Sequence, residues 1–225
     1  MNKYRCVFID WHNTLSTTLF WDHLAYGNAA SRHTCMQLRT SLFERHRYLL
    51  NPWMRGAMST ESVMRLVAED TGQSLDLVQS EFVAGCKQMT LVSPVIPSLV
   101  SALRAQGCLV IIATDNMDSF VRWTVPSLGL SDIFDGILCS SEIGGLKRDR
   151  DENGRSVFFG RMLETHGIQI EESLLLDDDV SAATTIQSFG IHVRHVSATF
   201  NLVAHLMGVL NDRSGSKPES FELRT

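Results

Sequence analysis

The segment Ile9-Asp10-Trp11-His12-Asn13-Thr14-Leu15-Ser16 places an acid directly after an apolar run. Residues 4–10 are apolar and β-prone enough to predict a buried strand. A carboxylate at the end of a buried strand costs desolvation free energy unless it is paired or used. Asp10 is therefore a candidate catalytic residue, and His12 stands two positions beyond it.

Polar residues also follow two later apolar runs. Thr114, Asp115 and Asn116 close one run, three consecutive acids (Asp177, Asp178, Asp179) close another, and Lys147 lies between them in GGLKRDRD. In an open α/β sheet, ligands bind beyond the carboxyl ends of the strands, so these groups should converge at one edge. Clustered acids raise one another's pKa unless a cation neutralises them, which implies a hard divalent ion such as Mg²⁺. Mg²⁺ beside a nucleophilic carboxylate, with lysine and threonine to hold anionic oxygens, indicates phosphoryl transfer.

Alternating strand and helix patterns would position these groups. The predicted strands are residues 4–10, 108–114, 136–140, 173–177 and 191–195. Helical patterns occur at residues 96–106, 118–125, 157–166, 180–189 and 200–210. Several strand runs are almost continuously apolar, as expected when both faces of a parallel sheet are buried. The alternation predicts an α/β fold with a doubly wound parallel sheet.

One long interval, residues 17–90, has only helical apolar spacing, with turn signals at Asn51-Pro52 and Thr71-Gly72. We therefore predict a smaller all-helical domain at 17–90, an α/β core formed by 1–16 and 91–211, and a polar tail at 212–225.

Composition narrows the class of protein. The chain has 225 residues and a net charge of −5, which argues against nucleic acid as a partner because phosphate-backbone binding needs a basic face. The sequence has no apolar run of the length needed to span a membrane, and no membrane partner is expected. The five cysteines form no Cys-x-x-Cys pair, and a cytoplasmic location is the expectation.

Four spaced motifs together resemble those of the haloacid dehalogenase (HAD) superfamily, whose members are mostly phosphatases. The motifs are Asp10-x-x-x-Thr14-Leu15, Thr114 after an apolar strand, Lys147 in SSEIGGLK, and the acidic run in LLLDDDVSAATTIQSFGI. The resemblance covers about residues 4–210, and it identifies the helical insertion as a cap domain.

The resemblance implies a role for each matching residue. Asp10 would be the nucleophile that becomes an aspartyl phosphate, and Lys147 would neutralise the phosphoryl group and orient Asp10. Thr114 would hydrogen-bond that group, with Asp115 and Asn116 beside it on the substrate side. Asp178 would bind Mg²⁺ together with Asp10 and the backbone carbonyl of His12.

The sequence also departs from the family pattern. His12 stands where phosphatases of the family carry a second Asp, so His12 is either the acid and base or only a loop residue. Ala182 stands where a further acid or Asn is usual, which leaves Asp177 or Asp179 as alternative metal ligands. Lys147 lacks the proline that usually follows it.

The leading expectation is a Mg²⁺-dependent phosphatase acting on a small phosphorylated metabolite. Haloacid dehalogenases also lack the second Asp, but they use no metal and have no comparable run of acids. Phosphonoacetaldehyde hydrolases have a similar Asp-Trp loop but need a cap lysine, for which Lys87 is the candidate. A catalytically weakened relative that binds a ligand or a protein is the remaining alternative.

Overall fold

The computed structural model describes residues 3–197 and 201–212, and their centre is a parallel β-sheet. Its five strands run in the order β3-β2-β1-β4-β5. They are β1 (Cys6–Ile9), β2 (Leu109–Thr114), β3 (Gly136–Cys139), β4 (Ser173–Asp177) and β5 (His192–His195). Cys6 on the central strand pairs with Leu109 on one side and with Ser173 on the other. The predicted α/β class with a doubly wound parallel sheet is confirmed.

Every regular element within residues 17–90, called the cap below, is helical. A π-helical turn (Ser41–Arg45) and a 3₁₀ turn (Arg47–Leu49) follow the second of its five α-helices. The helices are α1 (Asp22–Ala25), α2 (Ala29–Thr40), α3 (Leu50–Met54), α4 (Thr60–Thr71) and α5 (Leu75–Lys87). Their starts follow from local chemistry: Asn28, Ser59 and Ser74 each accept a hydrogen bond from the backbone three residues on, as N-caps do.

Within the described residues, seven further α-helices follow the cap and cover both faces of the sheet. They are α6 (Ile96–Ala105), α7 (Val125–Leu128), α8 (Leu130–Ile133), α9 (Ser140–Ile143), α10 (Gly160–Thr165), α11 (Val180–Gln187) and α12 (Leu202–Asn211). Alternate residues of β1 face opposite ways, so Val7 and Ile9 pack with α6, α12 and the cap, while Cys6 and Phe8 pack with α10 and α11. Burial on both faces explains why β1 and the middle of β2 and β4 are apolar, whereas the edge strand β5 is partly exposed and carries three polar residues.

Two predicted helices differ in detail in the structure, one by a π-helical turn within it and the other by its length. The helix predicted at 118–125 lies within a continuous helical run of residues 118–128, in which a π-helical turn (Phe120–Thr124) leads directly into α7, whose first turn accommodates Pro126. The helix expected at 157–166 is shorter, because Arg150 and Ser156 form an antiparallel bridge and Ser156 Oγ then accepts the Phe159 N–H.

The expected start of the last helix at Phe200 and residues 213–225 of the predicted tail lie outside the described residues. None of the helices in the described ranges has the length and apolar character needed to cross a membrane.

Candidate active site

The loop after β1 holds Asp10 in a buried position. Asp10 is 5% exposed, and its N–H donates to the Leu176 carbonyl at 2.9 Å, which extends the pairing of β1 with β4. The loop then folds tightly: Ser16 N–H donates to the Trp11 carbonyl, Asn13 N–H donates to the Ser16 carbonyl, and Asn13 has a positive φ of 55°. Among the described residues, no donor reaches the carbonyl oxygen of His12. That oxygen is therefore free for another partner.

Lys147 joins the first and fourth strands at this edge. Its Nζ donates to Asp10 Oδ1 at 2.8 Å and to Asp177 Oδ2 at 2.5 Å, and all three side chains are almost fully buried. Burial alone would lower the pKa of Lys147, but the two carboxylates raise it above its ordinary value, so the ammonium stays charged. Burial raises the pKa of Asp10 to about 7 even though Lys147 acts in the opposite direction. Three carboxylates, those of Asp10, Asp177 and Asp178, lie close together beside this one ammonium.

The three consecutive acids have different partners. Asp177 uses both oxygens, since Oδ2 accepts from Lys147 and Oδ1 accepts the Asp179 N–H at 2.8 Å. Asp179 begins α11 by accepting the Ser181 N–H at 2.7 Å. Within the described residues, no donor reaches the carboxylate of Asp178. Asp178 is therefore the acid of this run with free ligand oxygens.

The residues present fit a hard divalent cation. One oxygen from each of Asp10, Asp177 and Asp178 lies within 4.8 Å of the other two. Because Asp177 is occupied by donors, the free oxygens are those of Asp178, the second oxygen of Asp10 and the His12 carbonyl. Oxygen ligands of this kind suit Mg²⁺. The ligands predicted from the sequence, Asp10, His12 through its carbonyl and Asp178, all belong to this edge of the sheet. Ala182 packs against the sheet and supplies no acid.

Thr114, Asp115 and Asn116 leave the neighbouring strand. Thr114 ends β2 and is 1% exposed. Asp115 Oδ1 accepts the Lys147 N–H at 2.9 Å, and burial raises the pKa of Asp115. Asn116 donates its N–H to Ser140 Oγ at 2.9 Å, while its side chain accepts the Met117 N–H. Asp115 and Asn116 thus hold the surrounding loops, and their contact with substrate stays a prediction.

His12 is half-buried beside Asp10. Burial lowers the pKa of His12 below its usual 6.5, while the carboxylates of Asp178 and Asp22 act in the opposite direction. Asp22 comes from α1, so the cap contributes charge to the surroundings of this imidazole. At neutral pH the ring is mainly uncharged and able to accept a proton. Its role as acid and base stays a prediction.

Sequence reasoning missed two features of this edge. Asp177 was considered as a metal ligand and not as the partner of Lys147, although the run of three acids beside a motif lysine could have indicated an ion pair. The contact between Arg55 and Asp149, two residues after Lys147, carried no sequence signal because it joins the cap to a distant loop.

No protein-family model and no curated protein matches the sequence. Solved structures do resemble it. A HAD-like family hydrolase from Porphyromonas gingivalis has a TM-score of 0.67 at 16% identity, covering 94% of this chain and 100% of its own. The HAD-family enzyme BT-2542 from Bacteroides thetaiotaomicron, in complex with magnesium and inorganic phosphate, has a TM-score of 0.61 at 15% identity, covering 85% and 93%.

L-2-haloacid dehalogenase from Xanthobacter autotrophicus, with chloropropionic acid covalently bound, has a TM-score of 0.58 at 15% identity, covering 91% of this chain and 83% of its own. The three structures share the architecture described above over most of their length. At these identities the likeness concerns the fold, and it agrees with the resemblance found in the four motifs. The chain therefore has the fold of the haloacid dehalogenase superfamily of hydrolases.

Proposed function

We propose that this protein is a Mg²⁺-dependent phosphatase that hydrolyses a small phosphorylated metabolite through an aspartyl phosphate on Asp10. The observation that carries the proposal is the arrangement of Asp10, Lys147 and Asp178: a buried carboxylate held by an ammonium, beside a second carboxylate with free oxygens. The magnesium and phosphate complex of the neighbour BT-2542 supports the same chemistry.

The residues divide the reaction between them. Lys147 holds Oδ1 of Asp10, and the carboxylate of Asp10 attacks phosphorus as the bond to the leaving oxygen breaks. Water then attacks the aspartyl phosphate, the bond from phosphorus to Asp10 breaks, and inorganic phosphate leaves. His12 in its protonated form gives a proton to the leaving alcohol, and the neutral ring takes one from the attacking water. Thr114 and Lys147 hold the phosphoryl oxygens.

A bound Mg²⁺, held by Asp10, Asp178 and the His12 carbonyl, would neutralise charge on the transferring group and offset repulsion among the carboxylates. Exclusion of water is the expected contribution of the cap. Cytoplasmic location remains part of this proposal.

Dehalogenation is the second candidate, because position 12 is not an acid and the Xanthobacter neighbour binds chloropropionic acid covalently. The free carboxylate of Asp178 argues against it, since an anionic carboxylate substrate would meet added negative charge. The phosphonoacetaldehyde alternative is less favoured, because Lys87 lies exposed at the end of α5. A weakened binding protein would not need Asp10, Lys147 and Asp178 in this arrangement.

The test is turnover of an aryl phosphate. We expect the protein to release phosphate with Mg²⁺, to lose activity in EDTA and to regain it with added Mg²⁺. Asp10→Asn should abolish turnover while the circular dichroism spectrum is unchanged, because the nucleophilic charge is lost and the shape is kept. Asp76→Asn, which alters an exposed acid on α5, is the matched control and should retain activity.

If the protein released halide from chloropropionate in EDTA and released no phosphate under any condition, it would be a dehalogenase and not a phosphatase. If Asp10→Asn released phosphate at the wild-type rate, Asp10 would not be the nucleophile.

A further inference from the structure

A short part of the cap, residues 53–56, contacts the core at three places. Trp53 Nε1 donates to Asp118 Oδ1 at 2.8 Å, Arg55 pairs with Asp149, and Gly56 lies against the Ser141 carbonyl. The core partners all belong to segments that follow β2 or β3, at the carboxyl edge of the sheet. We call residues 53–56 the cap contact segment.

Arg55 and Asp149 form a bidentate ion pair. Arg55 Nη2 donates to Asp149 Oδ1 at 3.0 Å, and Nη1 donates to Oδ2. Arg55 Nε also donates to Asn51 Oδ1 at 2.8 Å, which fixes the plane of the guanidinium. The side chains are only 33% and 23% exposed. Such a planar, bidentate pair has a defined geometry as well as a favourable energy.

Asp149 also closes the turn that carries Lys147 by two hydrogen bonds to Leu146. Its Oδ2 accepts the Leu146 N–H at 2.8 Å, and its N–H donates to the Leu146 carbonyl at 2.9 Å. The turn is closed on both sides around Lys147, whose own N–H donates to Asp115. One carboxylate therefore contacts both the cap and the turn of the ammonium that holds Asp10.

We propose that Arg55 is a positioning residue for the reaction: through Asp149 it fixes the turn at Leu146 and Lys147, and this contact between cap and core keeps the ammonium aligned with Asp10. The expected effect on kcat rests on the proposed function. The expected ordering of the turn at Leu146 and Lys147 rests on the hydrogen bonds alone. Misplacement of a reacting group by about 1 Å can reduce the rate roughly 100-fold.

The kinetic test compares Arg55→Gln, Arg55→Lys and Asp149→Asn on an aryl phosphate. Arg55→Gln should lower kcat about 10- to 100-fold, with a much smaller change in KM, since alignment rather than substrate binding is lost. Asp149→Asn keeps an oxygen for the Leu146 N–H but loses the charge, and it should lower kcat similarly. The double variant should be no worse than the worse single variant, because both remove one interaction. Arg55→Lys should recover part of kcat.

Arg45→Gln is the matched control, because Arg45 also pairs with an acid, Asp70 at 3.0 Å, but wholly within the cap. It should leave kcat unchanged. The inference would be overturned by an equal loss of kcat in Arg55→Gln and Arg45→Gln. It would also be overturned by additive losses of kcat in the double variant, or by a rise in KM at constant kcat in Arg55→Gln.

A second measurement needs no activity. Hydrogen exchange of the Leu146 and Lys147 amides should accelerate in Arg55→Gln relative to wild type, while exchange of the β1 amides stays the same. Unchanged exchange at Leu146 and Lys147 would overturn the inference whatever the kinetics. If wild type hydrolyses no phosphate but exchange responds as described, the proposed function fails and the positioning contact stands.

Discussion

Three adjacent carboxylates take different partners because neighbouring residues at the end of a strand point in different directions. Asp177 completes the ion pair of Lys147, Asp179 starts α11, and Asp178 keeps free oxygens. Composition alone would treat the run as one acidic cluster. Because Asp177 and Asp10 share the Lys147 ammonium, removing that ammonium would leave two buried carboxylates without compensation.

At the same scale, His12→Ala tests the proton transfers. We expect turnover of substrates with poor leaving groups to fall about 10²- to 10⁴-fold, and turnover of an activated aryl phosphate to fall less. Since burial lowers the pKa of His12, the ring is neutral near pH 7, and wild-type hydrolysis of the intermediate should be lost as the pH falls through that lowered pKa. The measurement is the pH profile of kcat with both classes of substrate.

The matched variant is His12→Gln, which keeps a polar side chain but cannot exchange a proton at these pH values. It should behave like His12→Ala. Wild-type rates in both variants on every hydrolysed substrate would make His12 a loop residue.

At the scale of elements, the turn after α3 is shaped for close contact with α9. Gly56 has a φ of +69°, and a Cβ atom at this position would overlap the Ser141 carbonyl oxygen. Ser140, the neighbour of Ser141, holds the backbone of Asn116 beside Thr114. Backbone contact between cap and core is therefore adjacent to one of the loops of the candidate site.

Gly56→Ala should destabilise the protein more than Gly72→Ala. Gly72 also has a positive φ, +67°, but no atom lies within 4 Å of a Cβ added there. Gly72→Ala should cost about 1 kcal/mol for the backbone conformation alone. Gly56→Ala should cost about 1–3 kcal/mol more because α3 must move away from α9. Urea unfolding of the two variants measures the difference, and equal losses would show that the contact is not tight.

The same elements show what the sequence could predict. The middle residues of β2 (110–113) and of β4 (174–176) are apolar and buried on both faces, so the positions of these strands could be deduced from residue type. The π-helical form of the turn at Phe120–Thr124 could not, since this turn contacts α5, which is distant in the sequence: Thr124 Oγ1 donates to the Cys86 carbonyl at 3.0 Å. The contact of Arg55 with Asp149 could not either, because it depends on where the cap lies on the core. The convergence of the motif residues at one edge of the sheet was predicted from their order along the chain. Their roles in catalysis are still predictions.

Across the whole molecule, the cap and one face of the sheet share a single buried cluster. It contains Trp53 and Phe82 from the cap and Trp11 and Phe120 from the core. The ring of Phe82 lies 4.6 Å from that of Phe20 and 5.8 Å from that of Trp53, measured between centroids. A shared core of this kind indicates that cap and sheet unfold together.

Phe82→Ala should therefore lower the stability of the whole chain, by about 3–5 kcal/mol, and not that of the cap alone. Tryptophan fluorescence and far-ultraviolet circular dichroism should report one coincident urea transition in wild type and variant. Tyr26→Ala, which removes an aromatic ring that is 88% exposed, is the control and should change stability by less than about 0.5 kcal/mol. Two separated transitions would show that the cap unfolds independently.

The central place of β1 also determines when the candidate site can exist during synthesis. Cys6 and its neighbours leave the ribosome before the other strands of the sheet, but their partners on either side are Leu109 and Ser173. Until β4 has emerged, Asp10 has neither its backbone partner Leu176 nor the side chain of Asp177 beside it. Long-range pairing of this kind closes large loops and is slow. β1 is made before the other strands of this sheet and is thus among the last to be enclosed, so a nascent chain carries Asp10 long before the partners of Asp10 are in place.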